Sequence, residues 1–201
     1  METITQPSVL RSLYGLPSEV AVKKSLPKLD VHCQAFVRLS PFLLISTSGP
    51  GGADISPRGD PPGFVKIIDD RTLLIPDRLG NNRIDTMENI LHDPSVGLIF
   101  LVPGLREALR INGRAEIVTG AELGELAEKG RTPKSAIRVR VIEAFFHCAK
   151  AIIRSKLWEP DWRVATNDFP PLGTIIADQI AGLDAETQNA GIEHAYANNL
   201  Y

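Results

Sequence analysis

The sequence predicts a mainly β protein, an antiparallel barrel of six strands with flanking helices. Short apolar segments follow one another along the chain, separated by turns or short helices. The regular helical crossovers that a parallel βαβ sheet needs are missing. Of 201 residues, 43% are hydrophobic, which is enough for a sizeable core in one domain.

The strand candidates are bounded by turn residues or helix signals, and several alternate between apolar and polar positions. Leu109 and Ile111 alternate with Arg110, and Val139 alternates with Arg138. We expect the six or so barrel strands from seven candidate segments, 42–47, 53–57, 65–68, 72–75, 96–102, 109–118 and 137–146.

Helical periodicity marks the segments between and beyond these strands. The helix candidates are residues 28–39, 83–91, 121–129, 147–157 and a final helix from about 174. We therefore predict one domain over 1–201. It comprises an N-terminal helical segment (1–40), a barrel core (41–158) and a C-terminal extension (159–201).

Composition and charge argue against several classes of partner. A formal net charge of −2 gives no electrostatic reason to expect nucleic-acid binding. No apolar run approaches the roughly 18–20 residues of a membrane helix, and the N-terminus lacks signal-peptide features. We expect a cytoplasmic protein with no membrane association and with reduced cysteines.

Each cysteine follows a histidine, in His32-Cys33 and His147-Cys148. Structural zinc sites usually show ligand pairs spaced by two to four residues, so we expect no metal here. Small buried side chains are the preferred interpretation of both cysteines.

The stretch "LLIPDRLGNNRIDTMENIL" (73–91) places many hydrogen-bond donors before a helix. Helix N-termini carry unpaired N–H groups and partial positive charge, so they suit anions. Arg78 and Arg83 offer forked donors, Asn81 and Asn82 add amides, and Gly80 permits close approach. The pattern allows a phosphate clamp, and equally a helix that Asn82 caps beside two solvated arginines. No Walker or Rossmann glycine motif is present.

Four segments in order, "SPRGDPPGFV", "IPDRLGNNR", "LRINGRAEI" and "HCAKAIIRSKLW", resemble the pyridoxamine 5′-phosphate oxidase-related flavoproteins. The resemblance spans about 41–158 and is closest to the less characterised oxidase-related branch. It implies the FMN-binding split barrel, FMN as cofactor, and a homodimer with FMN sites at the interface.

The resemblance also implies roles for individual residues. Those expected to hold the FMN phosphate are Arg78, Asn81, Asn82 and Arg83. Those expected along the flavin ring or ribityl chain are Ile55, Ser56, Pro57, Arg58, Ile75 and Pro76. Those expected from the second subunit are Lys150, Arg154, Ser155 and Trp158.

Several of these assignments have alternatives. Arg58 is equally interpretable as a solvated turn residue, and Trp158 as an interface or core anchor. Lys150 and Arg154 share a helix face, where positive charge would favour a reduced flavin. His32 and His147 are interpreted as packed, hydrogen-bonded side chains, and no catalytic residue is assigned.

The expected function is an FMN-dependent oxidoreductase acting on an unidentified small molecule. The alternative is a non-catalytic protein that binds flavin, haem or a deazaflavin. We do not expect a pyridoxine 5′-phosphate oxidase, since the resemblance implies an Arg-x-His-type segment near the C-terminus for the substrate phosphate. Residues 161–201 instead contain four Asp, two Glu, one arginine and no lysine.

Overall fold

The computed structural model describes residues 1–165 and 168–201. The predicted C-terminal extension therefore includes two positions, 166 and 167, that lie outside the described residues. The strands are β1 (Phe42–Gly49), β2 (Gly52–Gly59), β3 (Lys66–Asp69), β4 (Thr72–Pro76), β5 (Ser95–Leu101), β6 (Ala108–Val118) and β7 (Ala136–His147). The helices are α1 (Pro7–Leu13), α2 (Glu19–Lys23), α3 (Val31–Leu39), α4 (Asp85–His92), α5 (Lys150–Ser155), α6 (Leu172–Gln179) and α7 (Ala185–Asn198).

All seven strands lie in one antiparallel sheet with the order β2-β1-β5-β6-β7-β4-β3. Among the described residues no ladder joins β2 to β3, so the sheet is open. The mainly β class with flanking helices is confirmed, but six strands in a closed barrel is wrong. The short strand β3 pairs only with β4 and adds a seventh strand at one edge.

The core lies on one face of the sheet, as the alternation predicts. Leu109 and Ile111 of β6 and Val139 of β7 are fully buried, whereas Arg110 and Arg138 are exposed. Helix α3 covers this face with side chains that include Phe36 and Val37.

Helix α3 begins at Val31 because Asp30 caps it. The Cys33 N–H donates to Asp30 Oδ1 at 2.8 Å. Residues 28–30, predicted as helix, therefore precede it.

Helix α4 begins two residues later than predicted and buries only part of its apolar set. Ile84 at its N-cap is left-handed, with φ of 46°, and makes no side-chain capping bond. Thr86 and Ile90 are buried, whereas Ile84 and Leu91 are 49% and 77% exposed. The helix therefore leaves an apolar side chain exposed near each of its ends.

Two other helix predictions were too long. β7 continues to His147, so the helix expected at 147–157 is shortened to α5. The segment expected as a helix over 121–129 is a 3-10 helix over Ala121–Leu126.

The chain after β7 ends in a helical hairpin, α6 and α7, where the sequence predicted one helix. Gly182, with φ of 87°, ends the connection, and Asp184 caps α7 by accepting from the Thr187 N–H at 2.8 Å. No helix within 1–165 or 168–201 is long and apolar enough to cross a membrane.

Gly113 is a position where β6 and β7 approach closely. The β6–β7 register shifts between Asn112 and Gly113. A Cβ built on Gly113 would lie 2.5 Å from the Arg140 carbonyl oxygen and 2.9 Å from Val139 Cγ1. Backbone cannot yield as a flexible side chain can, so a larger residue here strains the ladder.

Gly113→Ala should therefore destabilise the fold by about 1–3 kcal/mol, the usual cost of overpacking. Urea unfolding at constant m-value measures the loss. Gly97→Ala on β5 is the matched control, because its Cβ would meet nothing closer than 3.7 Å. Equal stability of the two variants would contradict the close β6–β7 approach.

Candidate functional site

A cavity of about 1000 Å³ lies where β2 faces the segment that follows β4. Its walls are residues 54–58, 77–87 and 131–134, completed by Tyr196 and Tyr201. The volume is at the upper end of the roughly 300–1,000 Å³ of small-molecule pockets, so an organic cofactor has room.

Two ion pairs link the walls of this cavity. Arg58 Nη1 donates to Asp77 Oδ1 at 3.0 Å, and Arg78 Nε donates to Asp60 Oδ2 at 2.5 Å. Asp60 is 1% exposed at its side chain and Arg78 is 18% exposed. Each pair connects the end of β2 to the residues after β4, so together they fix the width of the cavity.

The β2 wall offers both side-chain and backbone polar groups. β2 is an edge strand that pairs only with β1, so half of its backbone groups point away from the sheet. On its inner side the Ser56 and Thr86 hydroxyls lie 2.9 Å apart, which ties β2 to α4. Ile55, 62% exposed, also lines the cavity.

The loop over residues 78–83 has an unusual backbone. Asn82 and Ile84 both have positive φ, 61° and 46°. Asn81 Oδ1 accepts from the Arg83 N–H at 3.1 Å. Since α4 has Ile84 as its N-cap, the alternative in which Asn82 caps the helix is wrong.

The two arginines of the predicted clamp are in different environments. Arg78 is held inside by Asp60 and by the Leu126 carbonyl, to which its Nη1 donates at 2.7 Å. Arg83 is 75% exposed and pairs with Asp85 at 2.8 Å. The description of two solvated arginines is therefore wrong for Arg78 and holds for Arg83.

The structure brings eight of the predicted site residues together in one lining. They are Ile55, Ser56, Pro57, Arg58, Arg78, Asn81, Asn82 and Arg83. Ile75 and Pro76 are instead buried in the sheet, and neither is among the described residues that line the cavity.

The four residues expected from a second subunit lie away from the cavity of their own chain. Lys150, Arg154 and Ser155 are exposed on α5. The Trp158 indole N–H donates to the Leu105 carbonyl at 2.7 Å, which anchors it to the β5–β6 connection. Their contact with a partner's site stays a prediction.

Five lining residues were not predicted from the sequence. Three of them are charged, and the other two are tyrosines that form the outer wall of the cavity. The five are Asp77, Arg131, Lys134, Tyr196 and Tyr201. With them the lining contains five cationic and three acidic side chains. Among the described residues Arg131 and Lys134 make no ion pair, so the net charge favours an anionic ligand.

Two of these residues, Arg131 and Lys134, could have been placed in the cavity from the pairing of β4 with β7. β4 pairs with β7, with Pro76 opposite Ala136, and the Asp77 N–H donates to the Ser135 carbonyl at 3.0 Å. A predicted β4–β7 pair would therefore have placed "RTPK" (131–134) beside the 78–83 loop. No local pattern marks Tyr196 or Tyr201.

The histidines and cysteines lie outside the cavity lining. His147 is half-buried, and burial, with Arg110 and Lys24 nearby, lowers its pKa. Cys33 is buried as predicted, and burial raises its pKa to about 12. Cys148 is exposed, so the prediction of a buried side chain there is wrong. Within the described part of the chain no three His, Cys, Asp or Glu residues group to hold a metal ion.

The donor set fits FMN at both of its polar ends. A phosphate needs cations and N–H donors, which the 78–83 loop, Arg131 and Lys134 provide at the start of α4. The flavin's polar edge needs donors on a flat wall, which the free edge of β2 offers. Arg58 Nε is buried without a hydrogen-bond partner among the described residues, so a donor is left for a ligand.

Comparison with solved structures finds several partial matches. HupZ of Group A Streptococcus is 18% identical, and the match covers 59% of this chain and 93% of that chain with a TM-score of 0.48. A protein related to general stress protein 26 from Clostridium acetobutylicum is 14% identical (59% and 87% covered, TM-score 0.44). An F420 reductase is 18% identical (55% and 94% covered, TM-score 0.43).

These TM-scores are below 0.5, so the family assignment rests on sequence. No curated protein matches the chain. The family model described as pyridoxamine 5′-phosphate oxidase matches residues 29–148, more than half of the chain. The predicted resemblance is confirmed, and the chain belongs to the pyridoxamine 5′-phosphate oxidase family.

Proposed function

We propose that this protein is an FMN-binding flavoprotein that acts as an FMN-dependent oxidoreductase on a small molecule. The observation that carries the proposal is the cavity itself. It combines a net positive lining at the start of α4 with the free edge of β2. Membership of the family is consistent with this chemistry.

The phosphate end of FMN would lie at the 78–83 loop. Arg78 is pre-positioned by two hydrogen bonds, while Arg83 is exposed and free to exchange Asp85 for a phosphate. Asn81 and Asn82 would add amide donors. A terminal dianion matches two forked cations better than a bridging diphosphate does, which favours FMN over FAD.

The ring end would lie along β2, with backbone groups of residues 55–58 meeting the flavin's polar edge. Arg58 would give its unpartnered Nε to the ligand while Asp77 holds its Nη1. When bound, FMN supplies two-electron redox chemistry. The protein's contribution is orientation and positive charge beside the ring.

A second copy of the chain would complete the site. The α5 segment that carries Lys150 and Arg154 also exposes apolar side chains, with Ile153 on the helix and Leu157 just after it about half exposed. On β5 the residues that alternate with the core, such as Ile99, are only half-buried. These apolar surfaces support a homodimer whose α5 reaches the partner's flavin.

The substrate is not a pyridoxine phosphate in this proposal. Tyr196 and Tyr201 line the cavity, and residues 168–201 contribute no cationic side chain to the lining. The outer wall is therefore aromatic where a phosphate substrate would need cations.

FMN should bind more tightly than riboflavin by several kcal/mol, because only FMN has the dianion that the loop donors can hold. Flavin fluorescence quenching measures both affinities. The absorption spectrum of freshly purified protein tests the alternative cofactors, since haem and deazaflavin have different bands. Equal affinity for FMN and riboflavin would remove the phosphate assignment of residues 78–83.

Arg83→Ala should weaken FMN binding about three- to tenfold, less than a buried charge-assisted contact, because the side chain is mostly exposed. Folding should be unaffected. Arg11→Ala on the exposed helix α1 is the matched control. Unchanged FMN affinity in Arg83→Ala would make Arg83 a surface residue only.

Arg78→Ala should behave differently, since it leaves the buried Asp60 without its cation. The variant should lose stability by about 3–5 kcal/mol as well as FMN affinity. Arg78→Lys, which keeps the charge, is the variant to compare for binding. Thermal unfolding without ligand separates the two effects.

The FMN-loaded protein should sediment as a homodimer at micromolar concentration. Arg154→Glu on α5 should reduce flavin affinity without moving any residue of its own chain's cavity. A yellow monomer in sedimentation velocity would contradict the proposed interface site.

A further inference from the structure

A hydrogen bond outside the proposed cofactor contacts joins Tyr201 to the site. Its hydroxyl donates to Asp60 Oδ1 at 2.6 Å. The other oxygen of this buried carboxylate, Oδ2, accepts from Arg78 Nε at 2.5 Å. One carboxylate therefore connects Tyr201 to an arginine of the proposed phosphate site.

The ring of Tyr201 is held as well as its hydroxyl. Lys129 Nζ lies 4.7 Å from the ring centroid, and Arg78 Cζ lies 6.0 Å from it. Cations at such distances are attracted to the ring face. Tyr201 also lines the cavity, so its position forms part of the site's shape.

The guanidinium of Arg78 has three nitrogens, and two of them donate to neighbouring residues. Nε is used by Asp60 and Nη1 by the Leu126 carbonyl at 2.7 Å. Nη2 makes no hydrogen bond with any described residue. Asp60 accepts from Arg78 through Oδ2, while its Oδ1 accepts from Tyr201.

Loss of the Tyr201 hydroxyl would leave Asp60 Oδ1 buried and unpaired, which is costly. A carboxylate in this position can instead bind a guanidinium side-on, through Nε and Nη2 together. That rearrangement would satisfy Asp60 and engage Nη2 with the carboxylate, leaving Nη2 less available to a ligand in the cavity.

We propose that Tyr201 is a positioning residue: by occupying Asp60 Oδ1, it keeps Arg78 Nη2 available for the anionic end of the cavity's ligand. The inference rests on the proposed function, in which that anion is the FMN phosphate. Because coupling is reciprocal, FMN binding in turn stabilises the docked Tyr201.

The test compares FMN and riboflavin affinities of the parent chain, Tyr201→Phe and the control Tyr14→Phe, whose ring is exposed. Tyr201→Phe should weaken FMN about tenfold, since a bond to a charged group is lost. Riboflavin should change by less than about twofold, and Tyr14→Phe should match the parent for both ligands. An equal loss for both ligands, or no loss, overturns the inference.

A double-mutant cycle tests the route through Arg78. In an Arg78→Lys background, Tyr201→Phe should not change the FMN-to-riboflavin affinity ratio further. Additive effects on that ratio would show that Tyr201 acts independently of Arg78 and would overturn the inference. A parent chain that binds no FMN overturns the proposed function, and the inference with it. If the parent chain binds FMN and Tyr201→Phe has the same FMN-to-riboflavin affinity ratio as the parent, the inference alone is overturned.

A ligand-free measurement tests the hydrogen bond itself. The bond to Asp60 raises the pKa of Tyr201, as do burial and the charge of Glu128, while Arg78 opposes the shift and Lys129 faces the ring. Because this pKa is raised, the Tyr201 hydroxyl keeps its proton and its bond to Asp60 at every pH below the ordinary tyrosine pKa. The bond is lost as the pH rises past the raised value. Absorbance titration should show one late-ionising tyrosine that is missing in Tyr201→Phe. Its absence from the parent chain overturns the inference.

Discussion

The open sheet brings β2 and the residues after β4 face to face with no backbone ladder between them, and two arginine–aspartate pairs span the gap. Arg58 on β2 reaches Asp77, and Arg78 reaches back to Asp60. The long β6–β7 ladder sets how far apart the two halves of the sheet lie. The two arginine–aspartate pairs then fix the width of the gap, and this gap is the cavity. Pairs of this kind add little net stability, but breaking the buried one leaves an uncompensated charge.

Ion pairs with aspartates also balance the positive charge of the donor-rich loop. Each of Arg58, Arg78 and Arg83 has an aspartate partner, so the loop is not left with unbalanced positive charge. Strain is concentrated in the same place. Left-handed backbone at Ile84, a β-branched residue, is costly, and such residues cluster at ligand sites. The loop thus combines internal charge balance with a backbone that holds its polar groups in place.

Most of the fold follows from local patterns, because alternation along β6 and β7 and the apolar face of α3 each report burial directly. Local patterns do not show whether the sheet closes, since closure depends on which strands pair at the edges. The site divides in the same way. The loop at 78–83 and the strand at 55–58 have local signatures, and the structure places both in the cavity. Arg131 depends on the β4–β7 pairing, and Tyr201 contacts a residue 141 positions away, a distance that no local periodicity encodes.

The main core and the outer wall of the cavity come from different parts of the chain. Among the described residues, the buried residues of the main core run from Leu29 to Ala144, whereas Tyr196 lies on α7 of the helical hairpin that follows and Tyr201 lies just beyond α7. Substitutions in that hairpin can therefore reshape the mouth of the cavity without opening a void beneath the sheet. Such a division lets substitutions at a mouth residue such as Tyr196 explore new ligands at small thermodynamic risk, because that side chain is half exposed and outside the main core.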